Sequence, residues 1–332
     1  MARLEIDIAV PLRDFSVTVA LTAEAETVAL TGPSGAGKTT VLRALAGLHR
    51  PRSGRIAVDG ETWFDAGAGV DLPPERRRVG LVHQEGALFP HLSVRDNVAF
   101  GARDPARVDE LLRRLRIAPL AAERPGRISG GERQRTALAR ALARDPGVLA
   151  LDEPLSALDA STRTAVRAEL QDVLAELRLP ALLVTHDFAD AAVLADRIGV
   201  MAAGRLRQVG TPRELVERPA DAFVAQLTGS NVLWGEADGA VVALDAGGSL
   251  AIPAPARGRV ALAIAPWHVR LREDGPPDGH AVPVRVAAVT PEHGRMRVRT
   301  DRLVAEVPEA GALARGSVAW AVVRPEHVRV LD

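Results

Sequence analysis

Residues 32–39 read Gly-Pro-Ser-Gly-Ala-Gly-Lys-Thr, and Lys38 in that run is the only lysine among 332 residues. Every other basic charge is carried by arginine. One ammonium has been kept where a compact point charge on a flexible stem cannot be replaced by a planar guanidinium. Before the run, residues 26–31 form a short, mostly apolar strand pattern. After it, residues 38–48 have helical spacing. In a strand–glycine loop–helix unit the loop curls so that its N–H groups face phosphate oxygens, and the helix adds its positive end. The candidate phosphate cradle is therefore Gly32, Pro33, Ser34, Gly35, Ala36, Gly37, Lys38, Thr39 and Thr40. Lys38 is expected to reach the β- and γ-phosphates, and the Thr39 hydroxyl to hold Mg²⁺.

The rest of the first two thirds of the chain fits that unit. Apolar runs at 147–151 and 181–185 end in Asp152-Glu153 and His186-Asp187. They read as buried parallel strands with polar residues at their carboxyl ends, where α/β folds place their sites. Helical patterns at 131–143, 162–177 and 188–195 lie between and beyond them. After Gly229 the pattern becomes all-β: Val-rich stretches at 240–244, 259–264, 282–289, 295–304 and 318–323, separated by Gly, Pro and Asp. Within this tail, residues 265–271 (APWHVRL) are echoed 59 positions later by residues 324–330 (RPEHVRV). The expected boundary lies near Gly229-Ser230, giving domains 1–228 and 229–332.

Composition excludes several classes. The chain has no Cys, which removes disulfides, Cys-ligated zinc and thiol catalysis. Lys+Arg and Asp+Glu are both 42, so the net charge is zero, and no nucleic-acid partner is expected. No run of about 18 apolar residues is present. The alternating Arg3-Leu4-Glu5-Ile6 start reads as a strand, and the protein is expected to stay where it is made.

The Leu149-Ala150-Leu151-Asp152-Glu153 segment has the form of a strand that ends on a metal-holding carboxylate. Asp152 is the expected Mg²⁺ partner, and Glu153 the residue that polarises the attacking water. Residues 128–135 read Ile-Ser-Gly-Gly-Glu-Arg-Gln-Arg. Here the sequence resembles the ATP-binding subunits of ABC transporters. Ser129, Gly130, Gly131, Glu132 and Gln134 match their signature loop. A Ser and two Gly that open a helix make a second phosphate cradle by the same physics as the first. The resemblance implies that this one serves ATP held by a partner subunit; taken alone, Ser129 reads as a helix N-cap.

The resemblance implies further roles. Gln84 matches the glutamine that senses Mg²⁺ and the γ-phosphate, Asp159 the D-loop aspartate, and His186 the switch histidine. Catalysis would rest on Glu153, His186 and Gln84, with Mg²⁺ held by Thr39, Gln84 and Asp152. The implied fold is an α/β P-loop NTPase with a helical insert at approximately 85–140. It is followed by an all-β, oligonucleotide-binding-like domain of the TOBE/MOP type. There are two departures. The family stacks adenine on an aromatic ahead of the loop, often Tyr, and this chain has no Tyr. Phe15 is the nearest candidate, with core packing as its other reading. Gly86 stands where an aromatic often follows the glutamine.

A free ATPase unit, motifs that occur once and an all-β tail resemble importers. Residues 72–80 (LPPERRRVG) and 88–94 (LFPHLSV) are most like the molybdate type; sulfate, ferric-iron and polyamine relatives share variants of both. The implied function is ATP hydrolysis coupled to uptake of molybdate or a related oxyanion, with ATP and Mg²⁺ as cofactors. Implied partners are a second copy of the chain, head to tail, integral-membrane permease subunits, and indirectly a periplasmic or lipoprotein solute-binding protein. The implied location is the cytoplasmic face of the inner membrane, as a peripheral subunit. Leu88, Phe89 and Leu92 are candidate permease contacts, with core packing as the alternative. The tail reads either as an oxyanion sensor or as a structural support. DNA-repair ATPases separate loop and signature by long coiled coils, whereas Gly37 and Ser129 are 92 positions apart with no heptads between them. Ribosome-associated relatives usually carry two ATPase units per chain. A purely regulatory oxyanion-binding protein would leave the catalytic motifs unexplained.

Overall fold

The computed structural model describes residues 3–84, 87–102, 104–156, 158–274, 280–292, 294–309, 311 and 313–331. Gly86, named above, lies outside the described residues, as do Glu85 beside Gln84 and Ala157 two positions before Asp159. The chain divides into two compact units, Met1–Pro212 and Arg213–Asp332.

In the first unit, β3 (Thr27–Thr31), β8 (Val148–Asp152) and β9 (Ala181–Val184) are short apolar runs, almost entirely buried. Burial on both faces is what parallel strands under helices require. They pair in parallel with β7 (Val79–Val82) and β10 (Arg197–Ala202), in the order β10-β3-β9-β8-β7. The same sheet extends through β11 (Arg205–Gly210), β2 (Ser16–Ala23), β1 (Leu4–Pro11), β4 (Ser53–Val58), β5 (Glu61–Asp65) and β6 (Val70–Asp71), antiparallel throughout except for a short parallel contact between β11 and β2. β1 and β2 alternate buried and exposed residues, so their register is set by which face meets the core. That core joins Ile6, Ile8, Val17 and Phe64 to Leu30, Val41, Leu42, Ala150 and Leu182.

Helix α1 (Lys38–Leu45) comes directly after the glycine loop and stops three residues short of the 38–48 pattern. The N–H groups of Gly47 and Leu48 fold back onto the Ala44 and Arg43 carbonyls. Buried Arg77 completes the end, donating to the Ala44 and Leu45 carbonyls at 2.7 and 3.0 Å. Helices α2 (Val94–Ala99), α3 (Pro105–Arg114) and α4 (Gly130–Leu142) form the helical insert. Beyond them in the chain lie α5 (Ala160–Leu177) and α6 (Phe188–Leu194).

The second unit begins earlier than the boundary expected near Gly229-Ser230. The reason is packing: Ala222 and Ala225 of α8 (Ala222–Leu227), the helix after α7 (Pro212–Glu217), lie in one apolar cluster with Ala261, Ala263 and Leu331. Beyond it the unit is built of strands: β12 (Asn231–Leu244), β13 (Ser249–Ile264), β14 (Arg270–Arg272), β15 (Val282–Glu292), β16 (Arg295–Thr300), β17 (Val304–Val307), β18 (Val318–Val322) and β19 (Arg329–Leu331). They form a three-stranded sheet β12-β13-β19 and a five-stranded sheet β14-β18-β15-β16-β17.

The sequence echo in this unit is a structural one. Both copies make a Pro-led 3-10 turn, Pro266–His268 and Pro325–His327. The strand after each turn crosses to the other copy's sheet. Ala263 pairs with Arg329 and Val322 with Arg270, an exchange that maps onto itself by the 59-residue offset. At the crossing the His268 and His327 rings stack, with centroids 3.8 Å apart and planes 11° apart.

Burial, and then the neighbouring His327, push the His268 imidazole below its ordinary range, against the opposing pull of Glu217. The folded state therefore disfavours protonated His268, while the unfolded chain takes up its proton near pH 6.5. The stability contributed by the stack is complete above that pH and falls as pH drops below it. Tm is expected to fall more between pH 7 and pH 5 in the wild type than in His268→Phe. Three of the four tryptophans, Trp234, Trp267 and Trp320, lie in this unit, so fluorescence tracks its melting directly. Parallel pH profiles would reject the assignment.

Candidate active site

The glycine loop leaves β3 with backbone that only glycine accepts. Gly32 has φ +144°, and a Cβ there would lie 2.1 Å from the Met201 carbonyl oxygen. Gly37 has φ +96°, and a Cβ there would lie 2.4 Å from a methyl of Val17. The loop is thus pressed onto β10 and β2, with Pro33, Ser34 and Gly35 exposed at its rim and Ala36 buried beneath. Thr39 and Thr40 are half-buried in the first turn of α1.

Lys38 is buried, and its Nζ donates to the Gly32 and Pro33 carbonyls at 2.8 and 2.9 Å. Burial lowers the lysine pKa, while Glu153 and Asp152 oppose the shift. Parallel pairing puts those two carboxylates at the same sheet edge: Asp152 lies opposite Val184, and Val184 opposite Leu30. The Thr39 hydroxyl donates to Asp152 Oδ1 at 3.2 Å. Burial and then Glu153 raise the Asp152 pKa, with the Thr39 hydrogen bond acting the other way. Thr39 and Asp152 are a hard-oxygen pair of the kind that binds Mg²⁺ together with substrate phosphates and water.

Glu153 stands where strand turns to loop, at φ +46°. That is a strained position for a non-glycine residue and a common one for functional groups. Its N–H is held by the Val184 carbonyl at 2.8 Å, and its Oε2 lies 3.1 Å from His186 Nδ1. The two expected catalytic groups at the ends of β8 and β9 are therefore in direct contact. Gln84 is exposed just past β7.

Ser129 caps α4 in the present geometry. Its Oγ accepts from the Glu132 N–H at 3.3 Å, and Glu132 Oε2 accepts from the Ser129 N–H at 2.7 Å. This is a capping box, and the Ser129 N–H holds the Glu132 pKa down. Gln134, two residues on, is buried with its Nε2 unpartnered. Asp159 accepts from the Thr162 N–H at 3.0 Å through its side chain. Phe15 is partly buried and packs on the core, with its ring beside Gly204.

A separate groove of about 700 Å³ lies between α1, β7 and the helical insert. Phe89 and Phe100 line it with ring centroids 4.5 Å apart, and the Arg140 guanidinium lies 5.2 Å over Phe89. Phe100 is 68% exposed and Leu48 54%. Leu88 and Leu92, expected beside Phe89, are half-buried and do not line the groove. Fully buried Asn97 holds this loop in shape: its amide accepts from the Phe89 N–H at 2.8 Å and donates to the Phe89 and Ser93 carbonyls. Sequence reading did not single out Asn97 or the cap made by Arg77. One polar residue in a helical stretch and one arginine in an arginine-rich chain carry no mark of such roles.

No helix among the described residues is long and apolar enough to cross a membrane. The family model described as ABC transporter matches residues 12–156. The Fe(3+) ions import ATP-binding protein FbpC 1 of Rhodococcus jostii is 46% identical over 255 residues, which cover 75% of this chain and 73% of that protein. The spermidine/putrescine import ATP-binding protein PotA of Methylococcus capsulatus is 50% identical, covering 67% of this chain and 58% of its own length. The sn-glycerol-3-phosphate import ATP-binding protein UgpC of Paracoccus denitrificans is 37% identical, over 93% of this chain and 90% of its own. Among solved structures, a dimeric ATP-binding cassette in a post-hydrolysis state with ADP and Pi is similar at TM-score 0.51 and 27% identity. That match covers 64% of this chain and 98% of the cassette. Loop geometry, the strand-end carboxylates and these relatives agree: the chain belongs to the ABC transporter family, as an ATP-binding subunit of the import type whose reaction is ATP hydrolysis coupled to import.

Proposed function

We propose that residues 32–40 cradle the ATP phosphates and that Glu153 and His186 carry the hydrolytic step. The observation that supports this most is the single sheet edge that holds Lys38, Thr39, Asp152, Glu153 and His186. Lys38 exchanges the Gly32 and Pro33 carbonyls for phosphate oxygens. Nucleotide charge then compensates an ammonium that burial disfavours. Thr39 and Asp152, joined by Gln84, would hold Mg²⁺, which when bound neutralises phosphate charge. Glu153 orients the attacking water and accepts its proton. His186 fixes the Glu153 carboxylate and faces the γ-phosphate. Phe15 is the proposed adenine platform.

We further infer that Ser129, Gly130 and Gly131 meet ATP held by Lys38 of a second copy, arranged head to tail. For that, Ser129 must share the hydroxyl that now caps α4. The Phe89–Phe100 groove is the proposed seat for a permease helix, which would place the subunit peripherally at the cytoplasmic membrane face. A solute-binding protein outside the membrane would complete the system. The second unit is proposed as an oligonucleotide-binding-like regulatory or supporting domain. For the solute, relatives named for Fe(3+) and for spermidine/putrescine import favour ferric iron or a polyamine over molybdate. Part of the molybdate-like 72–80 segment is explained by structure alone, since Arg77 there caps α1. Uptake of labelled ferric iron, spermidine and molybdate by cells with and without this subunit discriminates among them.

Glu153→Gln is expected to bind ATP normally and to lose at least about 100-fold in turnover, the scale of general-base catalysis. It should dimerise with ATP and not with ADP, as read by sedimentation. Rapid single-turnover hydrolysis by this variant would overturn the base assignment.

Phe100→Asp places a charge on an exposed ring in the groove and leaves the core intact. It is expected to abolish coupled transport while ATP binding by the isolated subunit stays within about twofold of wild type. Equal loss of both would assign the ring to packing.

A further inference from the structure

Helix α5 touches both loops expected to meet the partner's nucleotide. A Cβ on Gly130 would lie 2.6 Å from Leu158 of the D-loop, and one on Gly131 would lie 2.6 Å from Val166 of α5. These glycines therefore rest directly on the segment 158–166. Between those contacts stands Arg163. Its N–H donates to the Asp159 carbonyl at 2.8 Å, which ties it to the D-loop. Its guanidinium donates to Asp187 Oδ2 at 3.5 Å. Asp187 is the residue after His186, and it is itself held firmly. Its Oδ1 caps α6 by accepting from the Ala189 and Asp190 N–H groups, and its N–H donates to Thr185 Oγ1 at 3.1 Å. His186 in turn meets Glu153. The path closes on itself, since the Glu153 carbonyl accepts from the Ser156 N–H and hydroxyl, at the start of the D-loop.

We propose that Arg163 is a positioning residue that couples the D-loop and signature contacts to the switch histidine of the same subunit. It touches no nucleotide. It acts by setting where Asp187, and with it His186, sits relative to Glu153. One turn further along α5, Arg167 donates to Asp190 at 3.3 Å. Asp190 is almost fully buried, so this second pair supports the fold and stands farther from the histidine. The two arginines thus divide the work: Arg163 positions and Arg167 anchors. A loop ordered by the partner's ATP would move α5, and Arg163 would carry that movement to His186.

The inference rests on the proposed roles of Glu153 and His186, and the test separates the two. In the full-length subunit, Arg163→Gln is expected to lower kcat for ATP by between about tenfold and a hundredfold, the scale of a small misplacement of a reacting group. KM and the melting temperature should stay near wild type. Arg163→Lys should restore most of kcat, because the contact is a single one that a point charge can make. The His186 imidazole NMR signals, assigned with His186→Ala, should shift in Arg163→Gln and return in Arg163→Lys. Arg167→Gln is expected to lower Tm and leave the His186 signals in place. If Arg163→Gln turns over ATP like wild type while Glu153→Gln and His186→Ala are inactive, the coupling is wrong and the site reading stands. If Arg163→Gln loses Tm, KM and kcat together with no rescue by lysine, Arg163 is structural. If Glu153→Gln still hydrolyses ATP, the site reading itself falls.

Discussion

The register of three parallel strands controls the chemistry of this protein. Leu30, Val184 and Asp152 stand in one row across β3, β9 and β8. The chain therefore leaves all three strands at one edge of the sheet, and it does so as the glycine loop, His186 and Glu153. A slip of one residue in β8 would turn Asp152 to the other face of the sheet, away from Thr39. The strands are held by their parallel hydrogen-bond ladder and by burial on both faces, since almost every side chain in them is covered. Positions of charged groups are thus set by apolar packing, and desolvation is the result: Lys38 is pushed down and Asp152 up. A cation and two carboxylates kept partly from water compensate one another until nucleotide arrives.

Four groups of the proposed site have partners within the chain. Lys38 has carbonyl partners, Asp152 has Thr39, Ser129 has Glu132, and Glu153 has His186. In the proposed reaction each group gives up or shares that bond to meet phosphate or water. On the proposed roles, binding exchanges hydrogen bonds instead of creating them from exposed groups, and the ordering of side chains is largely met in advance.

The site was readable from sequence to the extent that its residues are adjacent in the chain or close a strand. Gly32 to Thr39 and Asp152-Glu153 announce themselves by local pattern, Ser129 to Gln134 and His186 only through the family resemblance, and the strand ends bring Lys38, Asp152, Glu153 and His186 to one sheet edge. Helix ends were less legible. The pattern through Leu48 is apolar enough to continue, and α1 stops because Arg77, more than thirty residues away, takes its last carbonyls. The boundary at Gly229 tracked a change in composition, whereas the contact between Ala225 and Ala261 that moves it is long-range and involves small residues. Phe100 gave no sign of its exposure, because a phenylalanine in an apolar stretch reads as core. The tail's repeat was visible as seven residues, but its meaning was not: only pairing of Ala263 with Arg329 and Val322 with Arg270 shows two halves that trade strands.

The two units solve the same mechanical problem differently. In the tail, each half completes the other's sheet, so neither can move without breaking backbone hydrogen bonds, and the stacked His268 and His327 sit where the exchange crosses. Backbone ladders of that kind resist displacement and suit a part that must keep its shape. In the first unit, the link between α5 and the histidine runs through side chains: a part-exposed Arg163–Asp187 pair at 3.5 Å, next to an Arg167–Asp190 pair whose carboxylate is buried. A long, partly solvated ion pair contributes little to stability and costs little to rearrange. Breaking the second pair would leave a buried carboxylate uncompensated, so it stays fixed. Setting the weak pair nearest His186, the proposed switch histidine, and the pair with the buried carboxylate one turn away gives α5 a firm pivot and a yielding end. A helix that, as proposed, reports a second copy's nucleotide without loosening the fold needs both.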